Sequence, residues 1–190
     1  MTSIRLLWLL ISLAWLVFEF NLMRDRQIKQ DQVRAMEIHS RRWLWLTLLA
    51  SLMLALLMKN VALWPIAIPY LPRQALSLLL FVAGIAVRMT AINQLKHLFT
   101  THVTIQHGHH LITDGLYRWV RHPAYSGLLL ALFAAGLAMG DFIALLILLM
   151  PPLLAFNHRI NIEEKFLCQT FAMDYLEYSQ RTKKIVPWVL

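Results

Sequence analysis

Residues 124–156 read AYSGLLLALFAAGLAMGDFIALLILLMPPLLAF. Two apolar runs, 124–139 and 142–156, are parted only by Gly140 and Asp141. Glycine and aspartate are turn formers, so the stretch is predicted to be a tight antiparallel helical hairpin. Each arm falls short of the roughly 20 apolar residues that cross a bilayer core. The arms are therefore either tilted or lengthened by interfacial residues. Three more apolar runs precede the hairpin, at 4–20, at 43 to about 58, and at roughly 75–95, the last interrupted only by Arg88 and Asn93. The sum is an all-α, polytopic membrane protein of about five transmembrane helices in one domain, residues 1–190.

Composition agrees. The chain is 59% hydrophobic and 15% charged, against about 45–50% and about 25% for soluble globular chains. A net charge of +8 raises nucleic acid as a partner, but the basic residues flank the apolar runs, where they face anionic headgroups. Membrane lipids are the expected partner and nucleic acid is not. Cys168 is the only cysteine, which excludes an intramolecular disulfide and an all-cysteine metal site. The first run, with Arg5 before it, resembles the start of a signal peptide. No small-residue cleavage site follows, so an uncleaved first helix is expected.

The connections carry the polar residues. Residues 24–42 form a basic, partly helical connector holding Arg24, Arg26, Lys29, Arg34, Arg41 and Arg42. Lys59 and then Pro65, Pro69 and Pro72 mark a short link, because proline cannot continue a helix. Residues 96–123 form a histidine-rich polar stretch, and 157–190 a polar end in which Leu167, Phe171 and Tyr175 recur every four residues on one helical stripe. The positive-inside rule then puts the N-terminus outside and the connector, the 96–123 stretch and the C-terminus in the cytosol.

Two polar segments meet on that cytosolic face. Arg121-His122-Pro123 stands where a helix begins: proline suits the first turn, and the free amides favour an anion. Arg159 and Glu163 lie four apart on one helical face. Such a pair is either a weak surface bridge or part of a site. Arg88 sits inside an apolar run, where charge is costly. It either snorkels to the interface or points into a polar cavity and meets an anion. Five histidines between 97 and 110 raise a metal reading, but their spacing follows no helical or strand repeat and no second cluster exists, so no metal is expected. No Gly-rich dinucleotide turn follows a strand, and there is no serine nucleophile elbow.

Read together, these segments resemble the isoprenylcysteine carboxyl methyltransferase family and its phospholipid N-methyltransferase relatives. The first motif is His109, Leu111, Ile112, Gly115, Tyr117, Arg121, His122, Pro123 and Tyr125, with isoleucine at 112 for the usual valine. The second is Arg159, Glu163, Glu164 and Leu167, with Phe171, Tyr175 and Tyr178 as an aromatic tail. The likeness is close over about residues 80–180; residues 1–75 match only in kind, as N-terminal helices and connector. It implies a catalytic core at 76–190 with a cytosolic pocket for S-adenosylmethionine, built from the loop after helix three and the C-terminal helix. His109, His110, Leu111, Ile112, Tyr117, Arg121, His122, Pro123, Ala124, Tyr125 and Glu164 would bind the cofactor. Arg159 and Glu163, with Arg88 nearby, would carry the reaction. The implied substrate is lipid-linked or apolar, first a carboxylate like that of an isoprenylcysteine, then a phospholipid amine or a small thiol. A nicotinamide-dependent reductase with a related helical core and a non-enzymatic membrane scaffold are the competing classes, separated by whether the chain binds methyl donor, nicotinamide or neither.

Overall fold

The computed structural model describes residues 2–25, 35–95 and 111–186. They form five α-helices: α1 (Thr2–Asp25), α2 (Ala35–Val61), α3 (Tyr70–Leu95), α4 (Pro123–Met139) and α5 (Phe142–Arg181), with a single 3-10 turn, Gly115–Arg118, ahead of α4. Helices α1, α2, α3 and α5 are long and apolar enough to cross a membrane, and α4 is a shorter apolar helix between them. The protein is an all-helical integral membrane protein.

Three helix boundaries differ from the sequence reading. Helix α2 begins at Ala35, about two turns before the apolar run at 43. Residues 26–34 of the connector lie outside the described residues. Helix α3 begins at Tyr70, so Pro72 sits in its first turn rather than in the link; an amide hydrogen there needs no helical partner. The largest difference is α5. The fifth apolar run continues without a break into the polar C-terminal segment, as far as a kink at Ala172 (φ 44°, ψ −113°), beyond which α5 runs on to Arg181. At 1.5 Å per residue, the stretch from Phe142 to the kink reaches about 45 Å, longer than the roughly 30 Å hydrocarbon layer. Its polar second half therefore stands clear of the bilayer, which is why hydrophobicity alone does not reveal it.

The core is made by α3 against α4 and by α2 against α5. In a membrane, helices gain little from apolarity alone, and small residues let backbones approach. That is the α3–α4 contact here. A Cβ at Gly84 would stand 2.6 Å from Gly127 O and 2.8 Å from Ala131 N, and one at Gly127 would stand 2.6 Å from Arg88 N. The contact fixes where Arg88 emerges. Helix α1 is peripheral, resting on the bundle through Trp8 and Trp15, whose rings lie 5.1 and 5.7 Å from that of Phe81.

The hairpin turn is as expected. Gly140 closes α4 in the left-handed region (φ 82°), its amide bonded to Leu137 O at 3.1 Å. Asp141 caps α5, accepting from Ala144 N at 3.0 Å and from Trp64 N at 2.7 Å. Burial alone would raise the Asp141 carboxyl, but these amide donors outweigh it and hold the group below the ordinary aspartate value.

Candidate active site

Two chain segments converge at one end of the bundle. The 3-10 turn and the start of α4 supply Tyr117, Arg121, His122 and Tyr125, while α5 supplies Arg159, Glu163, Glu164, Tyr175 and Tyr178. The end of the chain straps them together: Arg121 N donates to Lys183 O at 2.8 Å and His122 N to Lys184 O at 3.0 Å. Pro123 is the first residue of α4 and His122 its N-cap. The 3-10 turn is anchored by Gln94 of α3, whose Oε1 accepts from Leu116 N at 3.1 Å.

The polar groups form a web. Arg121 Nε donates to Glu164 Oε1 at 2.7 Å, and its Nη1 to Ser179 O at 2.9 Å and to Thr182 O. The His122 ring lies between two carboxylates, Nε2 at 3.3 Å from Glu164 Oε1 and Nδ1 at 3.6 Å from Glu163 Oε2. Tyr125 Oη donates to Glu163 Oε1 at 2.7 Å and accepts from Arg159 Nε at 2.9 Å. Arg159 Nε is also 3.1 Å from Glu163 Oε1. The expected Arg159–Glu163 pair is therefore a triangle with Tyr125, and Arg159 is buried rather than on the surface. Tyr178 Oη donates to Tyr117 O at 2.7 Å, and Tyr117 Oη to Ala91 O at 3.3 Å. Burial pushes the Tyr117 phenol well above its usual range, with Tyr178 and Glu163 adding to the shift.

Arg88 is placed by a residue that the sequence reading passed over. Its Nε and Nη2 face the two carboxylate oxygens of Glu19 on α1, the latter at 2.9 Å, and Nη1 donates to Ala124 O at 3.1 Å. Trp15 Nε1 donates to the same carboxylate at 3.1 Å. The anion that Arg88 meets is internal. The signal was present in the sequence: Glu19 is a lone acid in an apolar run, as Arg88 is a lone base in another.

A cavity of about 1270 Å³ touches both segments. Leu111, Ile112, Tyr117, Arg121, His122, Ala124, Tyr125, Arg159 and Glu163 all border it, as does Arg88. It continues as an apolar slot between α1 and α2 along α4. Glu164 lies behind His122, bonded to Arg121, and His109 and His110 lie outside the described residues, as does the rest of the histidine-rich stretch. Phe171 and Tyr175 complete the wall. Tyr175 is 2% exposed, and its hydroxyl has no hydrogen-bond partner among the described residues. A buried hydroxyl left without a partner is costly.

A sequence model of the isoprenylcysteine carboxyl methyltransferase (ICMT) family matches residues 76–169. The chain is 33% identical over 114 residues to protein-S-isoprenylcysteine O-methyltransferase B of Arabidopsis thaliana, covering 59% of this chain and 58% of that one. It is 29% identical over 116 residues to the protein-S-isoprenylcysteine O-methyltransferase of Saccharomyces cerevisiae, covering 60% and 48%. The chain thus spans about half the length of these relatives. Its fold matches the solved eukaryotic intramembrane Ras methyltransferase ICMT with a TM-score of 0.57 and 26% identity, over 60% of this chain and 42% of that one. Through residues 76–169, which hold Arg88, Tyr117, His122, Tyr125, Arg159 and Glu163, the chain belongs to the isoprenylcysteine carboxyl methyltransferase family.

Proposed function

We propose that the protein transfers a methyl group from S-adenosylmethionine to a carboxylate carried by an isoprenylcysteine-like, lipid-linked substrate, in the core formed by residues 76–190. One observation carries the reading: a single cavity joins the Tyr125–Arg159–Glu163 triangle to an apolar slot that opens between α1 and α2. A lipid tail can stay in hydrocarbon while its polar head reaches the triangle. The wall beside it suits an adenosine. Leu111, Ile112 and Phe171 are apolar surface, and the partnerless Tyr175 hydroxyl can bond a polar edge. When bound, the sulfonium donor supplies an electrophilic methyl group.

The chain's own residues then have separable tasks. Arg159 offers its guanidinium to an acidic head, and Tyr125 and Glu163 fix its orientation. Orientation is the main lever in such a transfer, since donor methyl and acceptor must be held in line. Arg88, bound to Glu19 and to Ala124 O, is a positioning residue that ties α1 and α3 to the start of α4. Glu163 Oε1 accepts from Tyr125 and pairs with Arg159 at 3.1 Å, which supports a task of holding Arg159 over one of taking a substrate proton. That favours an acceptor that arrives ionised, a carboxylate, over a phospholipid amine or a small thiol. The charge pattern of the connections supports a cytosolic site and C-terminus, with the N-terminus outside.

The test is transfer of tritiated methyl from S-adenosylmethionine on membranes containing the protein, with prenylcysteine, phospholipid amine and small thiol offered in turn. Label that enters the prenylcysteine and is released by base is the expected result. Base-stable label would move the acceptor to an amine or a thiol, whichever of the two was offered, and absence of transfer with any acceptor would overturn the reading.

A further inference from the structure

The cavity has a second polar end. Away from His122 it is bordered by Arg5 of α1, Lys59 of α2 and Arg73 of α3. This is the end of the Gly140–Asp141 turn, where a Cβ at Gly140 would run into the Arg73 guanidinium. Beside it the buried Gln74 is held on both sides, accepting from Trp8 Nε1 and donating to Ala138 O, each at 2.8 Å. Nothing there balances the positive charge. None of the three cations is in an ion pair with any described residue. The acid of the turn, Asp141, gives its oxygens to the amides of Trp64 and Ala144. Among the described residues Arg73 keeps one side-chain hydrogen bond, Nη1 to Ile68 O at 3.1 Å, and its buried Nε has no partner.

Between the two ends the slot is apolar and open to lipid. Leu16, Leu49 and Leu52, which border it, are 58%, 59% and 40% exposed. From Leu44 to Lys59 along α2 the slot is about 22 Å long at 1.5 Å per residue. One leaflet of hydrocarbon is about 15 Å deep, half of the roughly 30 Å core. A chain anchored at the cationic end therefore lies within the slot and stops short of Tyr125 and Arg159.

We propose that the Arg5–Lys59–Arg73 end is a second binding site, for the anionic headgroup of a phospholipid from the leaflet opposite the candidate active site, with an acyl chain in the slot. The charge selects the headgroup, since each lysine or arginine near a membrane surface favours anionic lipid several-fold. The slot selects a lipid over a free anion.

Native mass spectrometry of the full-length protein in detergent tests this without any methyl-transfer measurement, so it stands apart from the proposed reaction. Phosphatidylglycerol and phosphatidylcholine with the same chains are offered in equal amounts. The expected result is one retained phosphatidylglycerol, preferred by at least about tenfold. Arg73→Gln should reduce the preference several-fold, and Arg5→Gln/Lys59→Gln/Arg73→Gln should abolish it. Arg118→Gln and Lys165→Gln, at the other end, should leave it unchanged. If Arg73→Gln does not fold, Lys59→Gln alone, at an exposed last turn of α2, carries the same expectation. Equal retention of both lipids would overturn the proposal, as would a preference indifferent to the variants. Displacement of the lipid by excess inorganic phosphate would also overturn it, because the site would then take a free anion.

Discussion

Arg159, buried, and Arg88, largely so, border one cavity and are satisfied in different ways. Arg88 has a dedicated partner. Glu19 takes its Nε and Nη2, the two side chains are 12% and 8% exposed, and the pair bridges α3 to α1 in the apolar zone. Arg159 belongs to a shared arrangement, where Tyr125 and Glu163 bond it and each other, and His122 leads on to Glu164 and Arg121. A one-to-one buried pair resists rearrangement, because taking away either partner leaves an uncompensated charge. A triangle can exchange one contact for a substrate group without stranding a charge. Under the proposed function, the difference fits a structural task for Arg88 and a chemical one for Arg159.

The largest expected effect breaks the comparison if it fails. Arg159→Ala and Glu163→Ala should each lower turnover by a factor of about 100 or more, as loss of an orienting group does, while S-adenosylhomocysteine affinity by calorimetry stays nearly intact. Native turnover in both variants would make Arg159 as structural as Arg88; lost affinity would move the pair to the donor side. Next comes Glu19→Leu, which strands Arg88 and should destabilise the fold by about 3–5 kcal/mol, read as thermal unfolding in detergent. Adding Arg88→Met should recover most of that loss. If the double variant is stable but inactive with intact donor binding, Arg88 does more than position.

Asp141 sharpens the contrast, being a buried charge satisfied by amides alone. Asp141→Ala should cost about 2 kcal/mol at neutral pH from the lost cap and the stranded Trp64 amide. Because the folded carboxyl lies below its ordinary value, its contribution is full above the unfolded value of about 3.9. It is lost as the pH falls through the lower folded value. The stability gap between wild type and Asp141→Ala should therefore narrow below about pH 4. The smallest effect belongs to Tyr175, whose hydroxyl bonds nothing among the described residues. Tyr175→Phe should leave stability unchanged or slightly raised, and weaken S-adenosylhomocysteine about three- to tenfold, the worth of about one hydrogen bond. Unchanged affinity would remove the hydroxyl from the donor pocket.

The spans and the hairpin were legible because membrane insertion depends on composition and the turn on two residues, Gly140 and Asp141. The motif residues were legible as a resemblance, and their spacing on α5 put Arg159 and Glu163 on one face. Other features depend on how helices meet, which no single segment encodes. The Arg88–Glu19 pair needs the depth of α1 relative to α3. Tyr125 reads in sequence as pocket wall, and only the packing of α4 on α5 turns its hydroxyl toward Arg159. The helical stripe at the end of the chain was legible, but its continuity with the fifth span was hidden because Asn157, Arg159 and Glu163 end the apolar run. Tyr175 showed as one tooth of a stripe with Leu167 and Phe171, and nothing local says that its hydroxyl lacks a partner.

The backbone strap that joins residues 121–122 to 183–184 has a consequence for assembly. Arg121 and Thr182 are 61 positions apart, and at about 5–20 residues per second of synthesis the first waits several seconds for the second. Until then the amides of Arg121 and His122 face water, Ser126 Oγ lacks Ile185 O, and the guanidinium of Arg121 lacks two of its carbonyls. The transmembrane bundle can insert and pack while its polar end stays open, and that end closes last as one unit. In hydrogen–deuterium exchange those two amides should consequently open together with the last turns of α5, on a faster clock than the α3–α4 contact.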